Sequence, residues 1–222
     1  MAGLASVSGR SESFDRFIAS TTIDYEAWHG GVGYDLEALR ALEGDDRAEA
    51  ERFLEERAGT DWRDLEALLA LGTPTARAAV VEQLRTGRLE QRLWAAKYLG
   101  DDPKLRDVRE AAVVAGLNEA VFYGGLSVAL DLATELRTPA MVEALFRASL
   151  RDEGEAAVQA AARLAFIHRK AKEEFDWELR PLFLRFNTAD RGERTRAFRE
   201  LCKLCDVDPG PYLRWWATEG RT

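Results

Sequence analysis

Four helix-start signals recur along the chain: Thr73-Pro74, Asp102-Pro103, Thr138-Pro139 and Asp208-Pro209. Each places an N-cap side chain directly before a proline at the first helical position, where the missing N–H has no intrahelical acceptor to lose. With Pro211 grouped beside Pro209, five of the six prolines do this one job. The signals are 29, 36 and 70 residues apart, and the last interval reads as two steps of 35. The skipped start would fall near Glu174, where Glu173-Glu174-Phe175-Asp176-Trp177 offers an acidic helix start without a proline. A period in this range is the mark of stacked helical repeats.

Apolar periodicity fills the intervals with helices. Residues 1–12 are small and polar and are expected to be a disordered terminus. Residues 13–60 form an N-terminal helical cap: a short helix from Ser13, a second from Ile23 to Trp28, the Gly30-Gly31-Val32-Gly33 loop, a helix begun by Asp35, and a charged helix from Asp45 to Ala58. From Asp61 to the C-terminus the repeat array runs. Asp61 with Asp64 resembles a capping box, and Trp62, Leu65, Leu68 and Leu69 follow at helical spacing. Later helices are marked by Ala76, Val80 and Leu84, by Leu89, Leu93 and Ala96, by Leu105, Val108, Ala112 and Ala115, and by Val142, Leu145 and Phe146. A nearly apolar helix is predicted from Glu155 to about Lys172, a late-starting or kinked one around Pro181, a long one from Asp190 to Cys205, and a closing helix from Pro209. No segment alternates over strand length, so the expected fold class is all-α.

This pattern over residues 61–206 resembles HEAT-like repeats. The resemblance implies a right-handed α-solenoid of about five helix pairs, closed by a C-terminal capping helix. Such solenoids serve mostly as binding surfaces, and the fold alone does not decide function. The alkylpurine DNA glycosylases share the architecture and are the enzymatic alternative; an oligomeric scaffold is a third.

Composition narrows the choice. The formal charge is −8, and residues 1–60 alone carry 13 acidic and 6 basic side chains. An acidic chain without a basic stripe is a poor ligand for nucleic acid or anionic lipid. No apolar run approaches the ~20 residues of a membrane span, and residues 1–10 lack a secretory pattern. Two cysteines make no disulfide framework. A cytoplasmic protein is expected, and the arginine and alanine bias suggests a bacterial genome.

The chemistry-bearing motifs reduce to structure. Cys202-Lys203-Leu204-Cys205 lies late in a helix on one face with Phe198 and Leu201, which makes both thiols core residues rather than a zinc or redox pair. The glycine loop has no preceding strand and no Gly-Lys-Ser/Thr, so it is a turn and not a phosphate cradle. His29 stands near Asp24, Glu26 and Asp35, a set common on acidic surfaces; His168 reads as a core or edge histidine. No nucleophile–base pairing is legible, so no catalytic residue, metal or cofactor is assigned.

The remaining candidates are off-core residues on inner helices. With Leu89, Leu93 and Ala96 facing the core, Trp94 and Tyr98 point about 140–180° away from Leu89 at 100° per residue. Matching Leu89 to Leu126 puts Asp131 and Glu135 at the equivalent places, and the next such helix carries Gln159 and Arg163 on its polar edge. Aromatics beside carboxylates suit an arginine-bearing partner. The expected partner-binding set is therefore Trp94, Tyr98, Asp131, Glu135 and Arg163. The competing reading packs Trp94 and Tyr98 against the preceding helix or under the N-terminal segment. The expected function is a non-enzymatic protein-binding solenoid, by analogy an immunity or adaptor protein that masks a basic toxin or effector.

Overall fold

The computed structural model describes residues 10–119, 122–151 and 154–218. Among these the chain is all-α, with fourteen α-helices and no strand. It divides into two compact units, Met1–Gly100 and Asp101–Thr222.

The first unit holds α1 (Glu12–Ser20), α2 (Tyr25–His29), α3 (Leu36–Arg40), α4 (Gly44–Arg57), α5 (Trp62–Leu71), α6 (Pro74–Thr86) and α7 (Leu89–Tyr98). Its last four helices contact in a regular way: α4 packs on α5 and α6 on α7, while α4 also meets α6 and α5 meets α7. Two helix pairs therefore contact each other, partner to partner and pair to pair, with α5 also against α6. Leu54, Leu65, Leu68, Val80, Leu84 and Leu93 are buried between them, each such side chain contributing roughly 1.5–3 kcal/mol relative to exposure. The capping box expected at Asp61 and Asp64 is present, with both reciprocal bonds made.

The second unit opens with a 3₁₀ turn (Pro103–Leu105) that runs into α8 (Arg106–Glu119), then α9 (Ser127–Leu136), α10 (Pro139–Arg151), α11 (Glu155–Ile167), α12 (Arg180–Leu184), α13 (Arg191–Leu204) and α14 (Gly210–Thr218). The same scheme recurs: α8 packs on α9 and α10 on α11, with α8 against α10 and α9 against α11. Buried alanines (Ala129, Ala133, Ala144, Ala157, Ala161 and Ala165) let these helices approach closely. α13 then packs on α10, α11 and α12, and α14 covers α10.

Three of the four proline signals open a helical segment at the proline itself (Pro74, Pro103 and Pro139), whereas α14 starts one residue after Pro209, at Gly210. Thr73 accepts from Ala76 N at 3.0 Å and Thr138 from Met141 N at 3.3 Å. Asp102 caps the 3₁₀ turn and Asp208 accepts from Gly210 N at 2.9 Å. Glycine is required at Gly125 (φ 97°), in the turn before α9, and at Gly154 (φ 82°, ψ −151°), the N-cap of α11; the latter backbone region is essentially closed to other residues.

Two expectations fail locally. The helix from Glu155 stops at Ile167 instead of reaching Lys172, because Arg169 turns to φ 59° and the Ala165 carbonyl accepts from both Lys170 N and Ala171 N. No helix begins near Glu174 either; the Asp176 carboxylate folds residues 172–178 into a turn by accepting from Lys172 N and Glu178 N, each at 2.8 Å. The helix after this stretch, α12, is five residues long.

The arginine bias has a structural use. Arg194, buried inside the second unit, donates to Leu150 O at 3.1 Å, and Arg151 donates to Leu117 O at 3.1 Å. In the first unit Arg47 donates to Leu71 O, and Arg88 donates to Gly59 O at 3.2 Å. These carbonyls lie at or just past helix ends, where the backbone has no intrahelical donor and the dipole favours a cation.

Candidate functional site

Trp94 and Tyr98 are one turn apart on α7, and the structure gives both a neighbour from α5. Trp62 stacks on Trp94 with ring centroids 5.0 Å apart, and Trp94 stacks on Tyr98 at 5.6 Å. The Arg63 guanidinium closes one end, 4.5 Å over the Trp62 ring, and Lys97 stands 4.9 Å from the Trp94 ring. All three rings are half-buried. Burial pushes the Tyr98 hydroxyl well above its usual pKa, and the Glu66 carboxylate adds to the rise. The ladder joins α5 to α7.

Asp131, Glu135 and Arg163 belong to the second unit. Asp131 and Glu135 are exposed on α9. Arg163 on α11 bridges Asp131, at 3.0 Å, and Glu174, in the turn region after α11. Its guanidinium is half-buried, and burial lowers its pKa while Asp131 counters. Asp131 and Arg163 are thus brought together, and the aromatic pair sits in the other unit.

The large apolar side chains most exposed to solvent lie elsewhere. Tyr25 is 74% exposed, Trp28 60% and Val32 54%, all in the N-terminal segment; Trp177 is 68% exposed in the second unit. Tyr25 and Trp28 stack at 6.5 Å, and His29 lies 6.0 Å from the Tyr25 ring. α2 buries none of its five residues. The chain on either side of it is anchored. Before it, Phe14 and Phe17 are buried, Phe17 meeting the rings of Tyr34 and Phe53 edge-on at 6.3 and 6.5 Å. After it, Arg63 Nε donates to Val32 O at 2.5 Å, and the Tyr34 hydroxyl donates to Asp64 Oδ1 at 2.9 Å. Arg57 Nε donates to the same carboxylate oxygen at 3.1 Å. Burial raises the Asp64 carboxyl above the usual range, against the pull of Arg57 and Tyr34, and it lifts Tyr34 to about 12. Asp24 caps α2 by accepting from Ala27 N at 2.8 Å.

The segment is dense in aromatics (Phe14, Phe17, Tyr25, Trp28 and Tyr34), but helical spacing alone does not say which rings stay in water. A signal was available. α2 is bounded by Asp24 and Gly30, too short to carry two faces, so Tyr25 and Trp28 at i and i+3 share one side. From Phe17 to Leu39 the chain holds four carboxylates and no lysine or arginine.

Cys202 and Cys205 are buried and free, and burial pushes each thiol up to about 12. His168 caps the end of α11 beside Phe146, and burial lowers its pKa. Tyr212 on α14 packs on Phe146 at 4.9 Å and on Phe198 at 5.9 Å, and Trp216 is buried. A cavity of about 310 Å³ in the second unit is lined by Asp101, Arg106, Arg109, Glu110, Thr138 and Met141, where acids and bases balance. Among the described residues no group of three or more His, Cys, Asp or Glu is placed to hold a metal ion, and no helix is long and apolar enough to cross a membrane. Comparison with protein-family models, with curated proteins and with solved structures returns no match.

Proposed function

We propose that the chain is a non-enzymatic protein-binding module built as a right-handed α-solenoid of HEAT-like pairs, with an immunity- or adaptor-type role of masking a basic toxin or effector. The repeat reading draws support from the contact scheme, in which each unit holds two helix pairs joined partner to partner and pair to pair. The observation that carries the binding reading is the exposure of Tyr25, Trp28 and Trp177. Large aromatics left in water mark interaction surfaces, and Trp and Tyr are the residues most often found at binding hot spots. Trp94 and Tyr98 serve chiefly as the α5–α7 joint, so the centre of the proposed surface moves to the N-terminal segment.

The test is affinity capture on the wild-type chain and on a Tyr25→Ala/Trp28→Ala variant, each partner then being purified and titrated back. One protein that binds the wild type at a fixed stoichiometry, and the variant at least tenfold more weakly, supports the reading. A rise in Tm with nucleobases, nucleotides or metal ions, without such a protein, overturns it in favour of a ligand-acting solenoid.

A further inference from the structure

The α2 face allows the partner's chemistry to be named. We infer that Tyr25, Trp28 and Val32 dock an arginine-bearing amphipathic segment of the partner protein, with guanidinium groups on the aromatic faces and leucine-type side chains against Val32; this inference rests on the protein-binding reading above.

Three observations select this occupant. The first is charge. Asp24 and Glu26 flank Tyr25, and no lysine or arginine occurs between Arg16 and Arg40. Arg63 approaches from α5, but its guanidinium is buried and paired with Asp61 at 3.1 Å. The face is therefore acidic, as is the whole chain at −8. A second copy of the chain or an anionic bilayer would meet like charge, and a cationic segment would be steered toward it.

The second is ring chemistry. Trp28 and Tyr25 overlap in a stack, and each keeps more than half its surface in water. A guanidinium over such a ring gains roughly 0.5–1 kcal/mol at an exposed site and more once desolvated. The chain itself uses this pairing at Arg63–Trp62, Arg180–Trp177, Arg147–Trp215 and Arg191–Trp216, at 4.2–5.0 Å. The planar fork favours arginine over lysine on both the ring and a flanking carboxylate.

The third is the anchoring of the flanks. α1 before α2 is seated by buried Phe14 and Phe17, and the chain after it is tied down by Arg63 to Val32 O and Tyr34 to Asp64. The span that carries the exposed rings is thus short and fixed at both ends, which limits the ordering cost of binding.

The probes are three fluorescent 14-residue peptides of identical leucine pattern, with arginine, lysine or glutamate at the polar positions, titrated against the full chain by anisotropy. The arginine peptide should bind in the micromolar range, tighter than the lysine peptide, and weaken with added salt. Tyr25→Ala/Trp28→Ala should weaken it at least tenfold. Both substitutions remove exposed atoms, and an unchanged circular-dichroism spectrum checks the fold. Asp24→Asn/Glu26→Gln should weaken it severalfold and flatten the salt dependence, with the α2 cap kept because asparagine retains the acceptor. Leu184→Ala, which trims an exposed apolar side chain of the second unit, should leave it unchanged. Equal binding of the glutamate peptide, no binding of the arginine peptide, insensitivity to the Tyr25/Trp28 variant, association with anionic vesicles through these residues, or their burial in a dimer seen by sedimentation would each overturn the inference. If a captured natural partner depends on Trp28 while the arginine peptide does not bind, the arginine chemistry falls and the protein-binding reading stands.

Discussion

Asp64 is the residue with the most demands on it. Its buried carboxylate closes the α5 capping box through Asp61 N at 3.2 Å, accepts from Tyr34 at 2.9 Å and from Arg57 at 3.1 Å. The capping half was legible in the sequence, because Asp61 and Asp64 are three residues apart with an apolar run behind them. The other half was not: Tyr34 lies 30 residues away, and nothing local ties it to α5. Tyr34→Phe should cost about 1 kcal/mol, the net value of one hydrogen bond, while Asp64→Ala should cost about 3 kcal/mol by stranding Tyr34 and Arg57 together. Urea unfolding checks both, and equal costs would show that the carboxylate is not the hub. The thiols make a second prediction at this scale. With Cys202 and Cys205 each pushed to about 12 by burial, the native chain at pH 8 should react with a thiol reagent far more slowly than a free cysteine. Both should react at once in denaturant; rapid labelling of the native chain would contradict their core placement.

Among the elements, helix starts were the most legible, because an N-cap followed by proline acts within four residues and needs no tertiary partner. Thr73, Asp102, Thr138 and Asp208 all accept from a backbone N–H of the turn they open. Thr73→Ala should therefore destabilise the chain by about 1 kcal/mol and Thr73→Ser by much less, read as a shift in urea midpoint. Alanine and serine variants of equal stability would mean that the proline alone sets the start. Helix ends were less legible. α11 stops because Arg169 adopts a left-handed backbone and the Asp176 turn follows, a choice between competing local bonds that composition does not reveal. The faces of α7 show a different limit. Periodicity put Leu89, Leu93 and Ala96 on the core arc with Trp94 and Tyr98 opposite, but Gln91, Leu93, Ala95 and Ala96 are the buried set, Leu89 is only half-buried, and Trp62 from another helix stacks on Trp94. A helical wheel describes one element, and a neighbouring helix fills the side the wheel leaves empty.

For the whole molecule, the distribution of carboxylates sets the response to acid. Five have pKa values held below the usual range: Asp35 by the Ala38 N–H, Asp46 by Ser11, Asp176 by the Lys172 N–H, Glu193 by Arg185 and Asp206 by Lys170. Each contributes stability that is fully present above the unfolded carboxylate pKa, about 4, and is lost as the pH falls through the lower folded value. Asp64 works the other way, since burial raises its folded pKa: the native state holds that proton more tightly, so its ionisation subtracts stability as the pH rises through the carboxylate range. Five groups pull one way and Asp64 the other, and two of the five lie in the first unit and three in the second. The net charge of −8 shrinks toward zero near the pI of about 5.0, which relieves self-repulsion on the way down from neutral pH. Burial lowers the His168 pKa as well, so one small loss of stability is expected as the pH falls through the imidazole range near 6.5, followed by the larger carboxylate-driven fall between about pH 5 and 3. The fall should be steeper in Asp64→Asn, which lacks the one opposing group. Urea midpoints measured across this range check both statements. A wild-type midpoint that rises on acidification would mean that charge repulsion, and not the bonded carboxylates, governs the fold, and an acidic frame so dominant would also strengthen the pull of α2 on a cationic partner.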